Sequence, residues 1–147
     1  MTQSLRHAIL QQVMLALAKH PLLAGVPVLR NPRVQLTLAD GPRAVIVREQ
    51  ADDLMDSAGQ TETRRYTLIV GAISRAHTDP DAEADALHEA TREAIVAAVP
   101  AITSGTNSAR VLLREQSTQF DFEPLDSGGA AVLTTWVVQY RRPPNLQ

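Results

Sequence analysis

Four histidines, His7, His20, His77 and His88, and sixteen carboxylates are the side chains with which this chain could hold a metal or move a proton. No two histidines stand four residues apart, the spacing that would set both imidazoles on one helical face. His88-Glu89 begins like a zinc-protease helix, but Arg92 occupies the place of the second histidine. Asp79, Asp81, Glu83 and Asp85 alternate like a calcium loop. Ala84 stands where that loop needs its glycine and Ala90 where it needs a bidentate glutamate, so these acids read as favourable charges in the first turn of a helix. The chain has no cysteine, which excludes disulfides and thiolate metal sites. Ser104-Gly105 and Gly128-Gly129 are turn glycines. Neither a phosphate-cradling loop with its lysine nor a Gly-x-Ser-x-Gly elbow is present. No catalytic set, metal or cofactor is expected, and the role is read as non-enzymatic.

The charges are unevenly spread. Residues 1–50 carry six basic groups against two acids, and residues 51–105 carry four against ten. Such a split can orient neighbouring copies through complementary surfaces. Arg30, Arg33, Arg43 and Arg48, followed by Arg64 and Arg65, have no aromatic residues interleaved among the first four as a base-reading surface would require, so sequence-specific nucleic-acid binding is not expected. The first residues show no targeting pattern and no apolar run reaches membrane-spanning length, from which a soluble, intracellular protein is expected.

The elements that must position these groups follow from periodicity. Leu5, Ala8, Ile9, Val13, Ala16 and Leu17 recur at helical spacing behind Ser4 as N-cap, and Pro21 closes this first helix. The proline-rich stretch to Pro42 holds a short edge strand at Val34–Leu38, and Ala44–Arg48 is a second strand. Residues 49–62, with five acids, read as a long, exposed and mobile connection. Thr63–Ser74 is apolar on both faces, which predicts an interior strand. Thr78-Asp79-Pro80-Asp81 starts a second helix whose apolar stripe ends at Val99, before Pro100. Strand structure over 110–123, a turn at 124–129, a last strand at 130–141 and a tail over 141–147 complete the chain. Trp136 and Tyr140 share a face with Val132 and Val138 and are expected in the core.

The expected fold is one α+β domain: a mainly antiparallel sheet of four or five strands with two helices packed on it. Because two strands look apolar on both sides, either the helices divide between the faces or another subunit covers the second face.

This order of elements resembles the tail terminator, or tail-completion, proteins of long-tailed bacteriophages, the minor tail protein U group. The resemblance is carried by Ala44-Val45-Ile46-Val47, the polar segment 49–62, Arg65-Tyr66-Thr67-Leu68-Ile69-Val70, the Asp79 to Val99 helix, Thr118-Gln119-Phe120-Asp121-Phe122-Glu123, and Val137-Val138-Gln139-Tyr140. It is a pattern of element order with a phenylalanine-and-acid strand, not an invariant signature. It implies a ring, hexameric on the tail, that caps the finished tube, ends its polymerisation and receives the head connector at the head–tail junction of a virion assembled in the host cytoplasm. The partners implied are further copies of the chain, the tail tube protein and a connector or stopper protein, with genome DNA passing through the ring. No membrane partner is implied.

Two sets of residues are assigned on this basis. Arg30, Arg33, Arg43 and Arg48 would meet Asp81 and Asp85 of a neighbouring copy, and Asp52, Asp53, Asp56 and Glu62 would form a docking loop for the tube or connector. The alternatives are another phage neck or tube protein, such as a head-completion or stopper protein, and a non-viral adaptor that binds peptides by strand addition at Val34–Leu38.

Overall fold

The computed structural model describes residues 4–31, 42–59, 61–75, 79–105, 111–121 and 129–142. Helix α1 spans Leu5–Lys19, and Ser4 caps it by accepting a hydrogen bond from the His7 amide at 3.1 Å. Its end is set by Pro21, which holds His20 in extended backbone, and a single 3-10 turn over Pro21–Leu23 follows. Gly25, at φ 78°, then turns the chain into β1, Val28–Arg30.

β2 (Arg43–Ala58) and β3 (Thr61–Ser74) form one long antiparallel hairpin. The expected connection over 49–62 is therefore corrected. Residues 49–58 continue β2 and residues 61–62 begin β3, leaving a turn at Gly59, whose φ is 62°. The acids hid the strand because those facing inward are met by partners distant in sequence, and Asp53 and Leu54 lie opposite Arg65 and Arg64. Two register shifts, at Glu49/Ala51 and Leu54/Asp56, add twist to this arm.

Helix α2 runs from Pro80 to Gly105, with the Asp79 carboxylate accepting from the Ala82 amide at 3.2 Å. It passes through Pro100, where a stop was expected. Proline costs the helix one donor and crowds the preceding turn. The turn that follows carries Ile102, which is completely buried in the main core, and that burial holds the helix together past the proline.

β4 (Val111–Asp121) and β5 (Ala130–Arg142) complete a five-stranded sheet of order β1-β2-β3-β5-β4. β1 lies parallel to β2, and all other pairs are antiparallel. The fold is α+β, as expected. The edge strand expected at Val34–Leu38 lies outside the described residues. Beside β2 the structure places β1 instead, whose three residues between Pro27 and Pro32 are too few to show alternation.

Both helices pack on the same face of the sheet. Ile9, Val13 and Leu17 of α1 and Leu87, Ile95 and Ile102 of α2 share one cluster with Val47, Leu68, Trp136, Val138 and Tyr140. Trp136 and Tyr140 thus occupy the core under the helices, and Val132 packs with Ala84 of α2. On the second face, Ile46, Ile73 and Ala131 form a separate cluster with Leu29. The helices do not divide between the faces. Gly71 lies on this second face, where an added Cβ would sit 2.8 Å from side-chain atoms of both Ile46 and Leu133.

Candidate assembly surface

Around the outer half of the β2–β3 hairpin, next to the first turn of α1, the sheet carries a cluster of carboxylates, phenols and arginines. Period-two alternation turns Asp52 and Tyr66 to the helix face as opposed residues. Asp52 accepts from Tyr140 Oη at 2.8 Å, from Arg6 Nη1 at 3.2 Å and from Arg64 Nε at 3.2 Å. Arg64 also donates to the Asp52 backbone carbonyl at 3.0 Å and to Glu62 at 3.3 Å. One carboxylate thereby joins α1, β3 and β5 to β2.

Glu49 gathers a second set. It accepts from Tyr66 Oη at 2.8 Å, Arg30 Nη2 at 2.8 Å and Asn31 Nδ2 at 2.9 Å. Asn31, in left-handed backbone at φ 44°, donates its amide to Val47 and accepts the Glu49 amide on its side-chain oxygen, so it extends the β1–β2 ladder by one rung after the strand has ended. Burial pushes the Glu49 carboxyl upward, but the hydrogen bonds from Arg30, Tyr66 and Asn31 outweigh it and leave its pKa below the usual carboxylate range. Tyr66 is shifted upward by burial and by the adjacent Glu49 charge. Each carboxylate of this cluster is met by arginine or phenol donors, and its chemistry is that of a brace.

The residues expected to build interfaces are distributed as follows. Asp52 and Glu62 belong to the brace, whereas Asp53 and Asp56 are exposed on the outer part of β2. Arg30 and Arg43 each pair within the chain, with Glu49 at 2.8 Å and with Glu83 of α2 at 3.3 Å. Arg48 is exposed on β2, Asp81 and Asp85 are exposed on α2, and Arg33 lies outside the described residues. The fold does not gather the four arginines into one patch. Arg6 and Arg43 of the basic N-terminal segment meet Asp52 and Glu83 of the acidic middle inside a single molecule.

Three features escaped the sequence reading. The phenol–carboxylate pairs link residues too far apart in sequence for any local pattern. His88 is buried on α2, with Nδ1 3.0 Å from Thr134 Oγ1 on β5; its place in the Ala84, Leu87, Thr91 and Ala94 stripe was the available signal. Phe120, of the phenylalanine-and-acid strand, is 57% exposed, because β4 is the outer strand of the sheet.

The sheet has two open edges among the described residues. β1 pairs with β2 only along Val45–Val47, and from Ala51 to Ala58 no strand lies outside β2. Likewise no strand lies outside β4. Leu54 and Met55 on the first edge strand and Phe120 on the second are more than half exposed. Shallow grooves of about 510 Å³ beside the first half of α2, about 420 Å³ along residues 89–97 of α2 and about 370 Å³ between the helices are described, and the acids and base of the first are partly tied by the Arg43–Glu83 pair.

No family model matches the chain, and no curated protein matches it. Among solved structures, a chain from the virion of a native gene transfer agent (GTA) particle is similar, with a TM-score of 0.51 and 16% identity, over 95% of this chain and 96% of that one. At that identity the likeness is one of fold.

Proposed function

We propose that this chain is a structural protein of a phage-like virion and, within it, the tail terminator: a ring on the head-proximal end of the tail tube that stops tube growth and receives the head connector. The observation that carries this reading is the end-to-end likeness to a virion chain, which covers 95% of this chain and 96% of that one. The element order supports the finer assignment, since helix, long hairpin, helix and closing strand pair follow the terminator pattern. The brace supports it physically, because Asp52 and Glu49 are met by Tyr140, Tyr66 and arginines and hold the outer part of the β2–β3 hairpin in place. On this reading the tip of the hairpin at Gly59 faces the tube or connector, and Arg48, Asp81 and Asp85 are offered to neighbouring subunits.

Location tests the assignment. A tagged copy should place a gold label at the head-proximal end of tails in purified particles. Label along the whole tail would make the chain a tube subunit, and label confined to tailless heads would make it a head-completion or stopper protein.

A further inference from the structure

The strand directions carry an inference about how copies join. β2, β3, β5 and β4 form an antiparallel block of four, so the two outer strands of that block run in opposite directions. A second copy placed beside the first in the same orientation would therefore bring its β2 antiparallel to the first copy's β4. With an odd number of strands, the same translation would give a parallel and less favourable pairing. Among the described residues, β1 and Asn31 occupy the outer side of β2 from Val45 to Glu49, and no strand pairs with the outer side of Ala51–Ala58.

Charge favours this pairing over its alternatives. Following the ladders across the sheet, Asp53 lies opposite Arg65, and Arg114 lies opposite Val137, which lies opposite Thr67; Asp53 and Arg114 thus project from the same face, the one away from the helices. Asp56, opposite Thr63, shares that face. All three side chains are exposed. Two β2 edges brought together would oppose acids to acids, whereas β2 against β4 sets Asp53 and Asp56 near Arg114. The exposed Leu54 adds apolar surface at the same edge.

We infer that copies of this chain join head to tail by strand addition, β4 of one pairing antiparallel with the Ala51–Ala58 edge of the next, so that the sheet runs continuously from subunit to subunit. The contact is heterologous, and it closes into a ring when the sheet twist and the stagger of successive copies add to a full turn. This deepens the ring reading and rests on it only for closure.

The absence of native cysteine makes the test direct. A51C and S117C, which flank Asp53 and Arg114 on the same face of the sheet, are prepared in the full chain, singly and together, and treated with a short thiol cross-linker at high protein concentration after melting curves show that each variant is folded. The double variant and a mixture of the two single variants should give cross-linked oligomers, while each single variant alone gives none. Adding D53R and D56R to the double variant should abolish the cross-link, and adding R114D as well should restore it. Dimers from a single variant would mean a symmetric contact and overturn the inference, as would no cross-link in any sample. An open ladder without a closed species would retain the seam and remove the ring; rings on tails from protein that never cross-links would do the reverse.

Discussion

Asp52 is the residue on which the outer part of the β2–β3 hairpin depends. Its side chain is 10% exposed and holds donors from three other elements, which neutralise a charge that could not remain there alone. Asp52→Asn should destabilise the fold by about 1–3 kcal/mol, since it leaves arginine and phenol donors facing a neutral amide. Tyr140→Phe should cost less, about 0.5–1.5 kcal/mol. In a double-mutant cycle by urea unfolding the two losses should be non-additive, and simple additivity would mean that the 2.8 Å contact carries no coupling. Glu49 makes a pH-dependent contribution. Its folded pKa lies below that of a free carboxylate, so its stabilisation is complete above the unfolded pKa and is lost as pH falls through the folded one. Glu115, lowered against its burial by Arg92 and Thr118, adds in the same direction. Stability measured from neutral pH downward should fall less steeply for Glu49→Gln than for the parent chain. An unchanged slope would remove Glu49 from the acid response.

At the scale of elements, the main core is where burial can be converted into an expectation. Trp136→Ala removes the largest side chain packed under the helices and should cost about 3–5 kcal/mol, read as a lowered unfolding midpoint or loss of folding; a midpoint within a degree or two of the parent would contradict its place in the core. Pro100 works in the other direction. It is exposed and sits inside α2, so Pro100→Ala restores a helix donor and should stabilise by up to about 3 kcal/mol. A lower melting temperature would show that the proline fits a bend the core requires. These two residues also mark what was legible beforehand. Trp136 was placed by simple alternation, because an interior strand repeats its pattern without interruption. The end of α2 was misplaced, because a local stop signal was outweighed by the burial of Ile102. The outer half of β2 was missed for the same kind of reason: Asp52 reads as solvent-facing until Tyr140, 88 positions away, is brought beside it.

At the scale of the whole molecule, the fold class could be read from the order of elements, whereas the assembly surface could not. Which strands lie at the edges depends on β5 inserting between β3 and β4, and no local pattern encodes that order. Nor does the net charge of a segment reveal that Arg30 and Arg43 are already paired within the chain. The resulting picture is a sheet with helices on one face, a braced hairpin and, among the described residues, two open edges of opposite strand direction, features suited to a repeating part of a larger particle. The central claim, that this part ends tail growth, is tested most directly by tail length. Electron microscopy of particles from a host lacking only this gene should show tails of widely varying and excessive length without heads, with normal, head-joined tails restored by the intact gene. Tails of normal length in the deletion, whether or not heads are attached, would contradict the account.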